Sequence, residues 1–146
     1  MIHENMPEDF DSAFEVVSCF VEHDGKILML HRQEHKPQGD TWGGPAGKVD
    51  EGEELHEAIK RETLEETGIA LNDPRYFKKL FVRFPEYDFI YHIFHELLDE
   101  LQEVTLRNEE HKDFTWVEPE KALDMNLMLD EDRCIKLFYG LDEKEN

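Results

Sequence analysis

Positive charge is scarce in this chain: 16 Lys and Arg stand against 36 Asp and Glu, a formal net charge of −20 over 146 residues. A protein that holds a nucleic-acid duplex or an anionic membrane needs a basic face to replace phosphate counterions. Neither partner is expected here, and an anionic ligand would need a metal ion to enter. Cysteine is rare as well. Cys19 and Cys134 lie in apolar surroundings with no CxxC or other ligand spacing, which predicts buried free thiols rather than a disulfide or a zinc site and suits a reducing cytoplasm. No run of about 18 apolar residues occurs, nor a basic stretch leading into an apolar one, so the expectation is an unexported, cytoplasmic chain. High charge can mark disorder, but 39% hydrophobic residues and ten Phe supply a core. The length predicts one domain over residues 1–146, loose at 1–12 and 141–146.

Residues 14–21 are rich in Val and Phe, Glu22-His23-Asp24-Gly25 reads as a turn, and residues 26–30 resume the apolar run: a hairpin signalled by Asp-Gly. His31 and Arg32 end its second strand, before a polar loop over 33–40. Arg32, at a strand end, either holds a phosphate or is a solvated surface charge. The segment Trp42-Gly43-Gly44-Pro45-Ala46-Gly47-Lys48 has the glycines of a nucleotide loop without the Walker order, because Trp42 replaces the first Gly and Val49 the Ser or Thr.

Gly68 and Asn72-Asp73-Pro74 end a helical stretch, and residues 77–84 and 89–97 form two strands joined by Pro85-Glu86-Tyr87-Asp88. His92 and His95 are three apart on a strand and face opposite sides. Asp99 stands where a metalloprotease string would need its second His, so both are expected as sheet-surface histidines. A polar loop over 99–113 flanks a short strand near 104–106; a strand follows at 114–117, then a helix from Pro119 to about 125 and an amphipathic helix over 130–139. Strands and helices without regular βαβ alternation predict a mixed sheet.

The helix expected at 54–67 carries the chemistry. At about 100° per residue, Leu55, Ala58 and Ile59 share a stripe with Glu62 and Glu66, and Glu65 lies at its edge. Carboxylates packed at i, i+3 and i+4 repel one another and lose hydration, so they stay in water, take up protons or hold a cation. A hard divalent metal fits best; the plain alternative is the solvated end of a Glu-rich helix.

The spacing around that stripe is specific. Gly47 is followed after five residues by Glu53, after seven more by Arg61-Glu62, then by Thr63, Leu64, Glu65, Glu66, Thr67, Gly68 and Ile69. This resembles the signature of the Nudix hydrolases, with every polar position matched and one departure, Thr63 in place of an aliphatic residue. The resemblance extends from about Phe14 to Tyr139 and implies an α/β/α sandwich around a mixed β-sheet, and a Mg²⁺-dependent (or Mn²⁺-dependent) pyrophosphohydrolase. It makes Glu62 and Glu66 metal ligands and Glu65 a ligand or an orienter of water. The Gly47 carbonyl lies at the metal and Arg61 holds the carboxylates in place, where it would otherwise be an ordinary i, i+4 ion pair. Glu53 is then the far end of that network or the base. MutT-like members also use a Glu six residues before a Trp, the spacing of Glu110 from Trp116, although a solvated loop explains Glu110 equally well. Arg32 and Lys48 are the candidate substrate-binding cations.

Bound Mg²⁺ neutralises phosphate charge and makes water nucleophilic, while its octahedral demand leaves room for water and substrate. The expected substrate is a nucleoside triphosphate, as for MutT-like enzymes, and the chain acts as a monomer or homodimer. ADP-ribose, nucleotide-sugar and dinucleoside polyphosphate hydrolysis are the alternatives, with Pro85 and Tyr87 near positions that mark the first and the last. A non-catalytic nucleotide sensor leaves the retained charged residues unexplained. An acidic Ca²⁺-binding or partner-binding module does not account for their order.

Overall fold

The computed structural model describes residues 2–141. Its elements are β1 (Ile2–His3), β2 (Ser12–His23), β3 (Lys26–Arg32), β4 (Trp42–Gly43), β5 (Ala46–Lys48), α1 (Leu55–Thr67), β6 (Arg75–Arg83), β7 (Asp88–Leu97), β8 (His111–Val117), α2 (Pro119–Ala122) and α3 (Glu131–Tyr139). The strands form one mixed sheet in the order β1-β6-β7-β2-β3-β4, with β5 also on β2 and β8 on β3. At its centre β2 and β7 run parallel, from Ser12 beside Asp88 to Glu22 beside Leu97; the other pairings are antiparallel.

Strand alternation divides the apolar residues between two faces. Val17, Cys19, Val21, Leu28 and Leu30 pack with Ala58 and Ile59 of α1. Phe20, Ile27, Met29 and Ile93 point the other way, to Ala122 of α2 and Cys134 and Ile135 of α3. The result is the expected α/β/α sandwich, with Cys19 and Cys134 free and buried on opposite faces. No helix among the described residues is long and apolar enough to cross a membrane.

Several expectations change. The lead-in is not wholly irregular, because buried Ile2 lets Ile2–His3 pair with Phe81 and Val82. No strand forms at 104–106; Val104 and Leu106 serve packing instead, and Thr105 N–H donates to Thr67 O (2.8 Å). β8 starts at His111, three residues early, and α2 ends at Ala122. His92 is not on the surface: it is 4% exposed, with Nε2 2.6 Å from Glu15 and Nδ1 2.9 Å from the Tyr76 hydroxyl. His95, half-buried, does face the other way, stacking on Phe138. The tail expected to be loose lies, from residue 142 on, outside the described residues.

Candidate functional site

The helix α1 ends where sequence places its stop: Gly68 adopts φ 77° and its N–H donates to Leu64 O, a left-handed conformation that glycine accepts without strain. Ala58, Ile59 and Thr63 are fully buried, which fixes the rotation of the helix and so the direction of Glu62 and Glu66. Thr63 has a sequestered hydroxyl with no hydrogen-bond partner among the described residues.

Arg61 organises the near side. Its Nε and Nη2 donate to the two oxygens of Glu53 (2.8 and 3.0 Å), Nη1 to Glu62 (2.9 Å) and Glu65 (3.4 Å), and Nη2 also to the carbonyl of Lys48 (3.1 Å). A two-pronged guanidinium–carboxylate pair is stronger and more directional than an exposed i, i+4 contact. Glu53 also accepts from Asp50 N–H (2.9 Å), and the Arg61 and Asp50 bonds hold its carboxyl below the usual range. Both of its oxygens are thus engaged by Arg61 and the Asp50 N–H.

Glu66 is 5% exposed and accepts from Ala46 N–H (3.2 Å). Burial, then the charge of Glu62, pushes its carboxyl well above its ordinary range; Ala46 N–H opposes the shift and Glu110 adds to it. Burial likewise raises Glu62 against the pull of Arg61, with Glu65 and Glu110 adding repulsion. Glu110 therefore acts on both carboxylates from its loop; its own carboxylate lies 4.0 Å from Lys36. Gly47 lies against the Glu62 carboxylate, and a Cβ there would displace that side chain or the strand.

Of the two candidate cations, Arg32 faces this cluster from β3: its charge acts on Glu66 while its Nε donates to Pro37 O (2.9 Å). Lys48 is not gathered in; its ammonium lies over the Phe14 ring, 4.3 Å from the centroid. Among the described residues no three acidic, imidazole or thiol groups form a ready-made metal cage. The donors at hand are nonetheless all oxygen, and half-buried Glu62 and buried Glu66, which repel one another, are a set that a hard divalent ion would relieve, with water and substrate filling its remaining positions.

Sequence reasoning missed the neighbouring cavity. It encloses about 170 Å³ between the sheet and α3, lined by apolar side chains such as Val82, Phe89 and Met128, with Gly44 and Ala46 on its wall. Glu131 is 8% exposed inside it. Burial lifts its carboxyl to about 7, against a bond from Gly44 N–H. In sequence Glu131 looks like any acid in a first helical turn. A larger groove near Asn72, Arg75 and Glu96 contains none of the α1 carboxylates.

The family model for the NUDIX domain matches residues 13–138. The chain belongs to the Nudix family. A CTP pyrophosphohydrolase of Escherichia coli (strain K12) is 30% identical over 129 residues, 87% of this chain and 92% of that protein. The NAD-capped RNA hydrolase NudC of Haemophilus influenzae (strain PittEE) is 33% identical over 98 residues, 66% of this chain but 36% of that longer protein. The crystal structure of a MutT protein from Methanosarcina mazei Go1 superposes with a TM-score of 0.77 at 28% identity, covering 90% of this chain and 96% of that one. This Nudix protein is thus a MutT-like hydrolase of pyrophosphate bonds in nucleotide derivatives.

Proposed function

We propose that this Nudix hydrolase cleaves a phosphoanhydride bond of a nucleoside triphosphate with the help of Mg²⁺, for which Mn²⁺ can substitute. The observation that carries the reading is a shared wall: Ala46 donates its N–H to Glu66 and also lines the apolar cavity. A planar base in that cavity, with Glu131 at its polar edge, would send its phosphates toward the α1 carboxylates. The near full-length match to a CTP pyrophosphohydrolase supports a triphosphate.

Glu62 and Glu66, with the carbonyl of Gly47, would hold the metal, which when bound supplies phosphate neutralisation and a more acidic water. Glu65, half-exposed and tethered to Arg61, is a further ligand or orients water. Arg61 keeps Glu53, Glu62 and Glu65 in register. Arg32 meets the phosphates, and Glu110, on the loop facing Glu62 and Glu66, accepts the proton of the attacking water. Lys48 would reach phosphate after leaving Phe14. A second reading has its own observation: Tyr87 is exposed beside Phe14, which stacks on Phe89 (5.0 Å), a shelf suited to the second planar group of a dinucleoside polyphosphate. Phosphate and pyrophosphate release from CTP, other nucleoside triphosphates, ADP-ribose and a dinucleoside polyphosphate, with and without Mg²⁺, tests both. Fastest metal-dependent turnover of a triphosphate is expected; preference for the dinucleoside compound would favour the shelf, and no metal-dependent turnover would overturn the reading.

A further inference from the structure

β8 breaks its alternation at its start. Asp113 lies opposite His31, yet the next residue of β3, Arg32, lies opposite His111. Lys112 is the extra residue, and its ammonium reaches Asp40 (2.8 Å) and Glu34 (3.3 Å). Regular pairing would have set Lys112 opposite Arg32; the bulge sets an imidazole there, and bulges beside active sites commonly re-aim a side chain.

His111 is 5% exposed, and its Nδ1 has neither solvent contact nor a hydrogen-bond partner among the described residues. A buried unpaired polar atom is destabilising and calls for a role. Burial brings the ring to a pKa of about 4, with Arg32 and Lys36 adding and Glu110 opposing. Glu110 itself is pinned by its backbone: its carbonyl accepts from Gln33 N–H (2.8 Å) and its N–H donates to Arg107 O (3.0 Å). What remains free to turn is its carboxylate, which lies 4.0 Å from Lys36 and whose charge acts on Glu62 and Glu66.

We propose that His111 is a positioning residue whose Nδ1 hydrogen-bonds the Glu110 carboxylate and turns it from Lys36 toward Glu62 and Glu66. This role rests on the reading of Glu110 as the proton acceptor. A lysine at that place would compete with a divalent cation for the same carboxylates; an imidazole orders one of them without neutralising it.

Three side chains separate this from plain packing. The amide of Asn sits as far from Cβ as Nδ1 does, that of Gln reaches only the place of Nε2, and Phe fills the volume with no polar atom. With the best nucleotide of the panel and saturating Mg²⁺, His111→Gln and His111→Phe should lower kcat by about tenfold to a hundredfold, the usual effect of removing the support behind a functional group. KM should stay unchanged, and His111→Asn should recover most of the rate despite its smaller volume. Adding His111→Gln to Glu110→Gln should cost nothing further, because the two act as one unit. If kcat instead follows melting temperature, with Phe best and Asn worst, His111 is packing and the proposal falls. It also falls if Glu110→Gln lowers kcat while no His111 variant does. If Glu110→Gln leaves kcat intact, the proton-acceptor reading itself fails and takes the role of His111 with it.

Discussion

Glu62 has one oxygen held by Arg61 while burial, Glu65 and Glu110 all oppose its charge. In the proposed function Glu62 is a metal ligand, and Glu62→Gln keeps the volume while deleting that capacity. Turnover at saturating Mg²⁺ should drop by about a hundredfold or more, the scale of a lost electrostatic contributor; a loss under about tenfold would remove Glu62 from the ligand set. Its neighbour Thr63 presents the opposite case, a buried hydroxyl with no hydrogen-bond partner among the described residues. Thr63→Val should stabilise the protein by about 1 kcal/mol, the lower end of what an unsatisfied buried group costs. Urea denaturation measures it, and a midpoint below the parent's would show that the hydroxyl is satisfied in solution.

Between elements, β5 comes close to α1 at Gly47. Gly47→Ala would drive a methyl into the Glu62 carboxylate, so the carboxylate, the strand or the helix must shift. Mg²⁺-dependent turnover should fall by about a hundredfold, as expected when catalytic groups are displaced by as little as 1 Å, with far-UV circular dichroism unchanged; activity within a fewfold of the parent would show that Glu62 can swing aside. That Gly47, Arg61 and Glu62 come together was legible in the sequence because they belong to a fixed spacing and α1 has a known period. Other features were not, for reasons of distance. His92 looked like a surface residue because its partner Glu15 lies 77 positions earlier, on the far side of a parallel pairing. β8 seemed to start late because the bulge at Lys112 hides the alternation. Glu131 was unreadable as a site because its cavity is assembled from residues as far apart as Ile2 and Cys134.

For the whole molecule, buried acids make stability depend on pH. Carboxyls raised on folding give up protons more readily in the unfolded chain, so stability falls as pH climbs from the unfolded value to the folded one. For Glu131 that window runs from 4.5 to about 7. The melting temperature in EDTA should therefore decline across it, and Glu131→Gln should flatten part of the decline; an identical slope in both proteins would mean that Glu131 is not buried as described. Glu53, whose carboxyl is lowered, acts in the opposite sense and only at more acid pH, below its ordinary value of 4.5. Millimolar Mg²⁺ should raise the melting temperature by mass action, with the rise lost in Glu66→Gln; no response in the parent would sink the metal assignment.

The parallel pairing of β2 with β7 also bears on how the protein comes into being. Ser12 meets Asp88 and Glu22 meets Leu97, so the central ladder cannot zip until most of the intervening chain, α1 included, has left the ribosome. At roughly 5–20 residues per second, the hydrophobic side chains of β2 wait several seconds for that partner. Long-range closure of this kind slows folding, and in the interval the unpaired edge of β2 is open to off-pathway association.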